Sequence, residues 1–193
     1  MGELVVVRHG QTEWSKSGQH TGVTDLPLLP EGEERARVLG TELAGRRFAQ
    51  VLVSPRRRAQ HTAELAGLHP VEVDEDLVEV DYGGYEGRTT PEISAELGRE
   101  WSLWTLGTVP GDTPGESLGD VTARVDRVLD RVQPALADGD VALVAHGHVL
   151  RILTARYLRL APESGALFAL AAGSYGVLGR EHGRPVLTGW NVG

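Results

Sequence analysis

The chain opens on an unbroken apolar run, Leu4-Val5-Val6-Val7, that gives way at once to Arg8-His9-Gly10. Continuous β-branched runs of this length predict strands buried on both faces, as in the middle of a parallel sheet. Two more follow, Val51-Leu52-Val53 and Val141-Ala142-Leu143-Val144-Ala145. Val71-Glu72-Val73 alternates instead, the pattern of an edge strand. Between the first two runs the residues are polar to about Leu29 and read as loop. Pro30-Glu31-Gly32-Glu33-Glu34 then predicts a helix start, with proline and acids in the first turn, running to about Ala44.

Ser54-Pro55 reads as N-cap and first residue of a helix over about 56–65, and Thr90-Pro91 as the cap of a short helix. Ser117 caps a longer helix. Val121, Val125, Val128, Leu129 and Val132 recur at helical spacing along it, and Pro134 bounds it. A helix after His146 runs to about Leu158 with His148 in its first turn, and residues 166–192 alternate as two or three strands. Strands alternating with amphipathic helices form βαβ units. The expected fold is a three-layer α/β/α sandwich around a mostly parallel sheet, in a single domain over residues 1–193.

Composition narrows the class. The 193 residues, 40% hydrophobic and 24% charged, suit one globular domain. Nineteen basic against 27 acidic side chains give a net charge of −8, which argues against nucleic acid or an anionic membrane as partner. Zero cysteines exclude disulfides, thiolate zinc sites and a cysteine nucleophile. The apolar runs fall far short of the ~20 residues of a membrane helix. The start lacks the basic and apolar regions of a signal peptide, so the expected location is cytoplasmic. Every basic residue but Lys16 is arginine. An arginine cluster therefore needs a second argument before it counts as chemistry.

That argument is where the strands end. In open α/β sheets ligands bind beyond the carboxyl ends of the strands. The three clearest strands end in Arg8-His9, in Ser54 with Arg58 one turn on, and in His146. Arginine forks match phosphate oxygens, and a helix N-terminus adds free N–H groups. A neutral histidine beside a bound phosphorus is a nucleophile, and arginines with a second histidine stabilise the equatorial oxygens. A leaving alkoxide needs a proton from a carboxylic acid, for which spacing alone does not separate Glu79 from Asp76 or Asp81. His146-X-His148 lacks a third ligand at metal-binding spacing. Arg56 and Arg57 read as solvated helix-face residues, and Trp101 and Trp104 as packing residues or a pocket lid. His20, His61, His69 and His182 have no independent claim, with a pocket role as the alternative for His20.

Arg8-His9-Gly10, Gly22-Val23-Thr24-Asp25-Leu26-Pro27-Leu28, Ser54-Pro55-Arg56-Arg57-Arg58-Ala59-Gln60-His61-Thr62-Ala63, Glu79…Gly83…Glu86-Gly87 and His146-Gly147 occur in this order. Together they resemble the histidine phosphatase superfamily, with its phosphoglycerate-mutase-like fold, over nearly the whole chain. The resemblance implies His9 as the phosphorylated nucleophile flanked by Arg8, with Arg58 and His146 completing the phosphate pocket. It also implies Glu79 as proton donor and later base, and Ser15, Gln19, Thr21, Gly22 and Tyr82 as substrate-pocket residues. No metal and no cofactor are implied.

Ser15 stands where mutases of this family usually have asparagine, Gln19 where they have arginine, and Arg56 where leucine is common. Between Tyr82 and Gly115 the paired arginines of the mutases are missing; only Arg88 and Arg99 lie there. The expected function is thus a phosphomonoester hydrolase acting on small phosphorylated metabolites. A cofactor-dependent phosphoglycerate mutase is the alternative, and a non-catalytic phospho-ligand sensor is a third reading. The two-step chemistry needs Glu79 protonated while His9 is neutral, so activity is expected to peak on the acid side of neutrality. The sequence is compatible with a homodimer.

Overall fold

In the computed structural model, described over residues 2–193, β1 (Leu4–Arg8), β2 (Phe48–Val53), β3 (Glu72–Val73), β4 (Asp140–Ala145), β5 (Tyr175–Glu181) and β6 (Arg184–Val192) form one sheet. Its order is β3-β2-β4-β1-β5-β6. The first four strands in that order are parallel, while β5 and β6 join antiparallel as a hairpin. The sheet is therefore mostly parallel, and β3 is an edge strand as its alternation predicts.

The unbroken apolar runs have a direct cause. Leu4 and Val6 face one core with Leu143, Leu52 and the inner sides of α6 (Leu118–Val132) and α7 (Gly147–Tyr157). Val5 and Val7 face a second core with Val144, Val53 and Leu39 of α2 (Pro30–Leu43) and Ala59 of α3 (Arg57–Leu65). A strand covered by helices on both sides has no polar face, and each fully buried Val or Leu contributes roughly 1.5–3 kcal/mol. On α6, Val121, Val125, Val128 and Val132 are wholly buried, and Ser117 with Asp120 forms a capping box at its start.

Four local readings change. Residues 11–29 contain α1 (Glu13–Ser17), capped by a Thr12–Ser15 box that sequence periodicity does not show. Helix α4 (Thr90–Leu97) takes Thr89, not Thr90, as N-cap, with Glu92 completing the box. A short α5 (Leu103–Leu106) follows. Most consequential for the site, Ser54 does not cap α3: the N-cap is Arg56, with no side-chain bond, and the Ser54 hydroxyl accepts the Arg56 N–H at 3.3 Å ahead of the helix and has a second, distant partner.

The parallel register brings the chemistry together. Arg8 pairs with Ala145 and Val53 with Val144, so β1, β2 and β4 end at one level. The His9 N–H donates to Ala145 O at 3.0 Å and the Ser54 N–H to Val144 O at 3.0 Å, extending both ladders into the residues that follow.

Candidate active site

His9 is launched from the last rung of β1. Its Nδ1 lies 2.7 Å from the Gly10 carbonyl oxygen. A carbonyl only accepts, so Nδ1 carries the proton and Nε2 keeps its lone pair. Burial, then the Arg58 and Arg8 charges, hold the ring well below the usual histidine pKa. The turn that places it needs glycine: a Cβ on Gly10 would overlap the Gly32 carbonyl at the start of α2. The Gly10 N–H donates to Thr62 Oγ1 at 3.0 Å, and that hydroxyl donates to Arg58 O at 2.7 Å, tying this turn to α3.

Arg58, in the first turn of α3, is wholly buried. Its Nη1 donates to Thr24 O (2.8 Å), Nη2 to Thr21 O (3.1 Å) and Nε to His146 Nδ1 (3.1 Å). With Nδ1 accepting, the His146 proton sits on Nε2 and is donated to Ser54 Oγ at 2.7 Å. The two histidine rings stand edge-on with centroids 5.1 Å apart. Burial first, then Arg58, pushes His146 well below its ordinary pKa.

Arg8 donates Nη1 to Leu170 O at 2.6 Å, while its Nε is buried with no partner among the described residues. An unmet buried donor costs about 1–3 kcal/mol, so it favours whatever acceptor enters. Glu79 closes the constellation at the start of α7. One oxygen accepts the N–H groups of Val80 (3.0 Å) and Val149 (2.9 Å), the other that of His148 (2.9 Å). Arg124, buried on α6, fixes the segment before Glu79 through Asp76 O (2.8 Å) and Val78 O (2.7 Å).

A cavity of about 170 Å³ opens here, its wall including Arg8, His9, Glu79, Tyr82 and Gly147. It can take an anion the size of a phosphoryl group against a neutral imidazole, with a carboxyl group nearby.

The family model described as histidine phosphatase superfamily (branch 1) matches residues 4–193. The chain belongs to this superfamily.

An acid phosphatase of Mycobacterium tuberculosis is 40% identical over 93% of this chain and 87% of its own length. A 2,3-bisphosphoglycerate-dependent phosphoglycerate mutase of Cytophaga hutchinsonii is 33% identical over 89% of this chain and 84% of its own. The solved structure of a mycobacterial glucosyl-3-phosphoglycerate phosphatase, complexed with VO3, superposes with a TM-score of 0.87 at 30% identity, covering 100% of both chains. Family and relatives make this chain a phosphatase of the superfamily, with the three-layer fold to match.

In this histidine phosphatase the structure brings His9, Arg8, Arg58, His146 and Glu79 to one sheet edge, with Arg58 and His146 a layer behind the cavity wall. Ser15, Gln19, Thr21 and Tyr82 line the cavity. Gly22 does not. It acts at one remove: its N–H donates to both oxygens of Glu86 (3.0 and 2.9 Å), which steadies the loop whose carbonyls hold Arg58. Sequence reasoning missed His148, Arg151 and Thr62 as parts of the site, and held a pocket role for His20 only as an alternative; the structure sets His20 on the cavity wall. His148 Nδ1 lies 2.6 Å from Tyr82 Oη, and His20 packs on Tyr82 at 4.8 Å. The available signal was the helix spacing of Gly147, His148 and Arg151, which places them along one side of α7. Trp101 is buried in the core; Trp104 is partly buried, 5.2 Å from the His148 ring.

Proposed function

We propose that this phosphatase hydrolyses small phosphomonoesters in two steps through a phosphohistidine on His9, with no metal taking part. The observation that carries the reading is the Nδ1–H bond to Gly10 O, which leaves Nε2 of a neutral ring as the free nucleophile. In the first step Nε2 attacks phosphorus, the ester P–O bond breaks, and a proton from the Glu79 carboxyl goes to the departing oxygen. In the second, Glu79 takes a proton from water, the water oxygen attacks phosphorus, and the P–N bond breaks to release inorganic phosphate. Arg8, Arg58 and His146 offset charge on the equatorial oxygens as they redistribute.

Hydrolysis is favoured over transfer to a second sugar-acid oxygen. Of the two arginines between Tyr82 and Gly115, Arg88 pairs with Glu96 at 2.5 Å and neither lines the cavity. The test is a labelled phosphomonoester with a base quench, which should leave acid-labile label on the wild type and none on His9→Ala. Label retained by His9→Ala would overturn the assignment. Fast isomerisation of phosphoglycerate primed by 2,3-bisphosphoglycerate, with slow phosphate release, would favour the mutase reading instead.

A further inference from the structure

Glu79 lies outside every helix and strand, between a 3-10 turn at Glu75–Leu77 and the loop that carries Tyr82. Its reach into the cavity is therefore set by the course of the backbone on either side of it. One charged pair grips that backbone on both sides. Arg124, buried on α6, donates Nη1 to Asp76 O (2.8 Å) and Val78 O (2.7 Å), and its Nε and Nη2 to the two oxygens of Glu116 (2.8 and 2.9 Å). Glu116, the residue before the Ser117 cap of α6, accepts the Asp81 N–H at 3.0 Å and donates its own N–H to Asp81 O at 2.8 Å.

Two helices thus locate one carboxyl group. Both jaws of the grip belong to α6 and its cap, and Val121, Val125 and Val128 root that helix in the core. The carboxylate itself is met by the His148 and Val149 N–H groups at the start of α7, which packs in the same core. Stability gives little account of the charges, because a buried ion pair stands near break-even against apolar side chains of the same volume. Position accounts for them better. A general acid must sit within hydrogen-bond reach of the departing oxygen, and a displacement of about 1 Å costs on the order of a hundredfold in rate.

We propose that Arg124 and Glu116 are positioning residues for proton donation: by fixing residues 76–81 from both sides, they hold the Glu79 carboxyl within reach of the departing oxygen. Neither lines the cavity, so both act through Glu79 and neither touches substrate. This rests on Glu79 as the acid of the reaction proposed above.

The experiment compares kcat/KM, which reads the first phosphoryl transfer alone, for two esters. Glycerol 3-phosphate loses an alkoxide that needs a proton, whereas 4-nitrophenyl phosphate loses a phenolate that needs none. Arg124→Met and Glu116→Gln should each lower the rate on the alkyl ester by about ten- to a hundredfold and that on the nitrophenyl ester by less than a few fold. Arg124→Lys, which keeps the charge and reaches some of the same acceptors, should restore part of the alkyl-ester rate. Tungstate affinity reports the phosphate pocket and should stay within about twofold in all three. Glu116→Gln keeps the side-chain shape and turns one acceptor into a donor facing Arg124, so it reads the grip even where Arg124→Met does not fold. Glu79→Gln is the reference, with the same selective loss at least as large. If Glu79→Gln is selective while Arg124→Met and Glu116→Gln lose both esters equally, or lose neither, the positioning role is overturned and the acid stands. Equal loss on both esters in Glu79→Gln would remove the acid assignment, and this proposal with it.

Discussion

Arg58 donates its Nε–H to His146 Nδ1 at 3.1 Å, and both side chains are wholly buried. One is a donor fixed by two loop carbonyls, and the other is a ring held neutral by burial beside that same charge. Both cannot serve an anion while one serves the other. For His146 to donate to a phosphate-like oxygen its Nδ1 must take up a proton, and the Arg58 Nε–H must turn to the anion as well. Tungstate, a dianion with no proton of its own, should therefore bind with uptake of about one proton near pH 7. Calorimetry in buffers of different ionisation enthalpy measures this. Binding with no proton uptake would overturn the charged ring and leave a neutral one, with Nδ1–H on the anion and the Ser54 O–H donating to Nε2.

The Ser54 hydroxyl accepts the His146 Nε2–H at 2.7 Å with no exposure to solvent. Ser54→Ala should leave that buried N–H unmet, lowering stability by about 1–3 kcal/mol. The ring would also lose the bond that fixes its tautomer, so kcat should fall on the order of tenfold. Urea midpoints and steady-state rates on the same preparation check both. Full activity would show that the tautomer is fixed by other means.

Gly147 separates two demands usually lost together. A Cβ there would stand 3.3 Å from both Cζ and Nε of Arg8, tight enough to push the guanidinium. As the first residue of α7, the position otherwise suits alanine, which is favoured over glycine in helices by roughly 0.5–1 kcal/mol. Gly147→Ala is expected to keep or raise Tm while lowering kcat/KM by about tenfold. A drop in both would assign the effect to general disruption of the fold.

Stability should fall in mild acid before the carboxylates titrate. His9, His146 and His148 are held well below 6.5 and His20 at about 4, in each case chiefly by burial. Unfolding frees these rings to bind protons near pH 6.5, whereas the folded protein resists until lower pH. The unfolded state thus binds more protons between about 6.5 and 4, and stability rises with pH across that window. Denaturant midpoints should be flat above pH 7 and decline steadily from 6.5 to 4.5. His20→Phe should flatten part of that slope, and an unchanged slope would place the His20 titration elsewhere.

Much of the architecture is legible in the pattern of residues. Covered strands such as Leu4–Arg8 must be apolar on both faces, and helix α6 must repeat valine at helical spacing, because burial acts on every position of the covered face. The ordered motifs likewise mark His9 and His146, which follow directly from strand ends, and Arg58, in the first turn of the helix after β2. Only the tertiary structure decided what depends on contacts between distant segments. Ser54 reads as a helix cap by local rule, yet its hydroxyl faces a histidine 92 positions away. Thr62 looks like an ordinary helix residue until the Gly10 N–H arrives from 52 positions away. Arg151 is one arginine among 18 until the fold sets it on the cavity wall. Local propensity and periodicity act over a few residues, whereas hydrogen-bond partners and the lining of the cavity are fixed only when the sheet register brings separate loops to one edge.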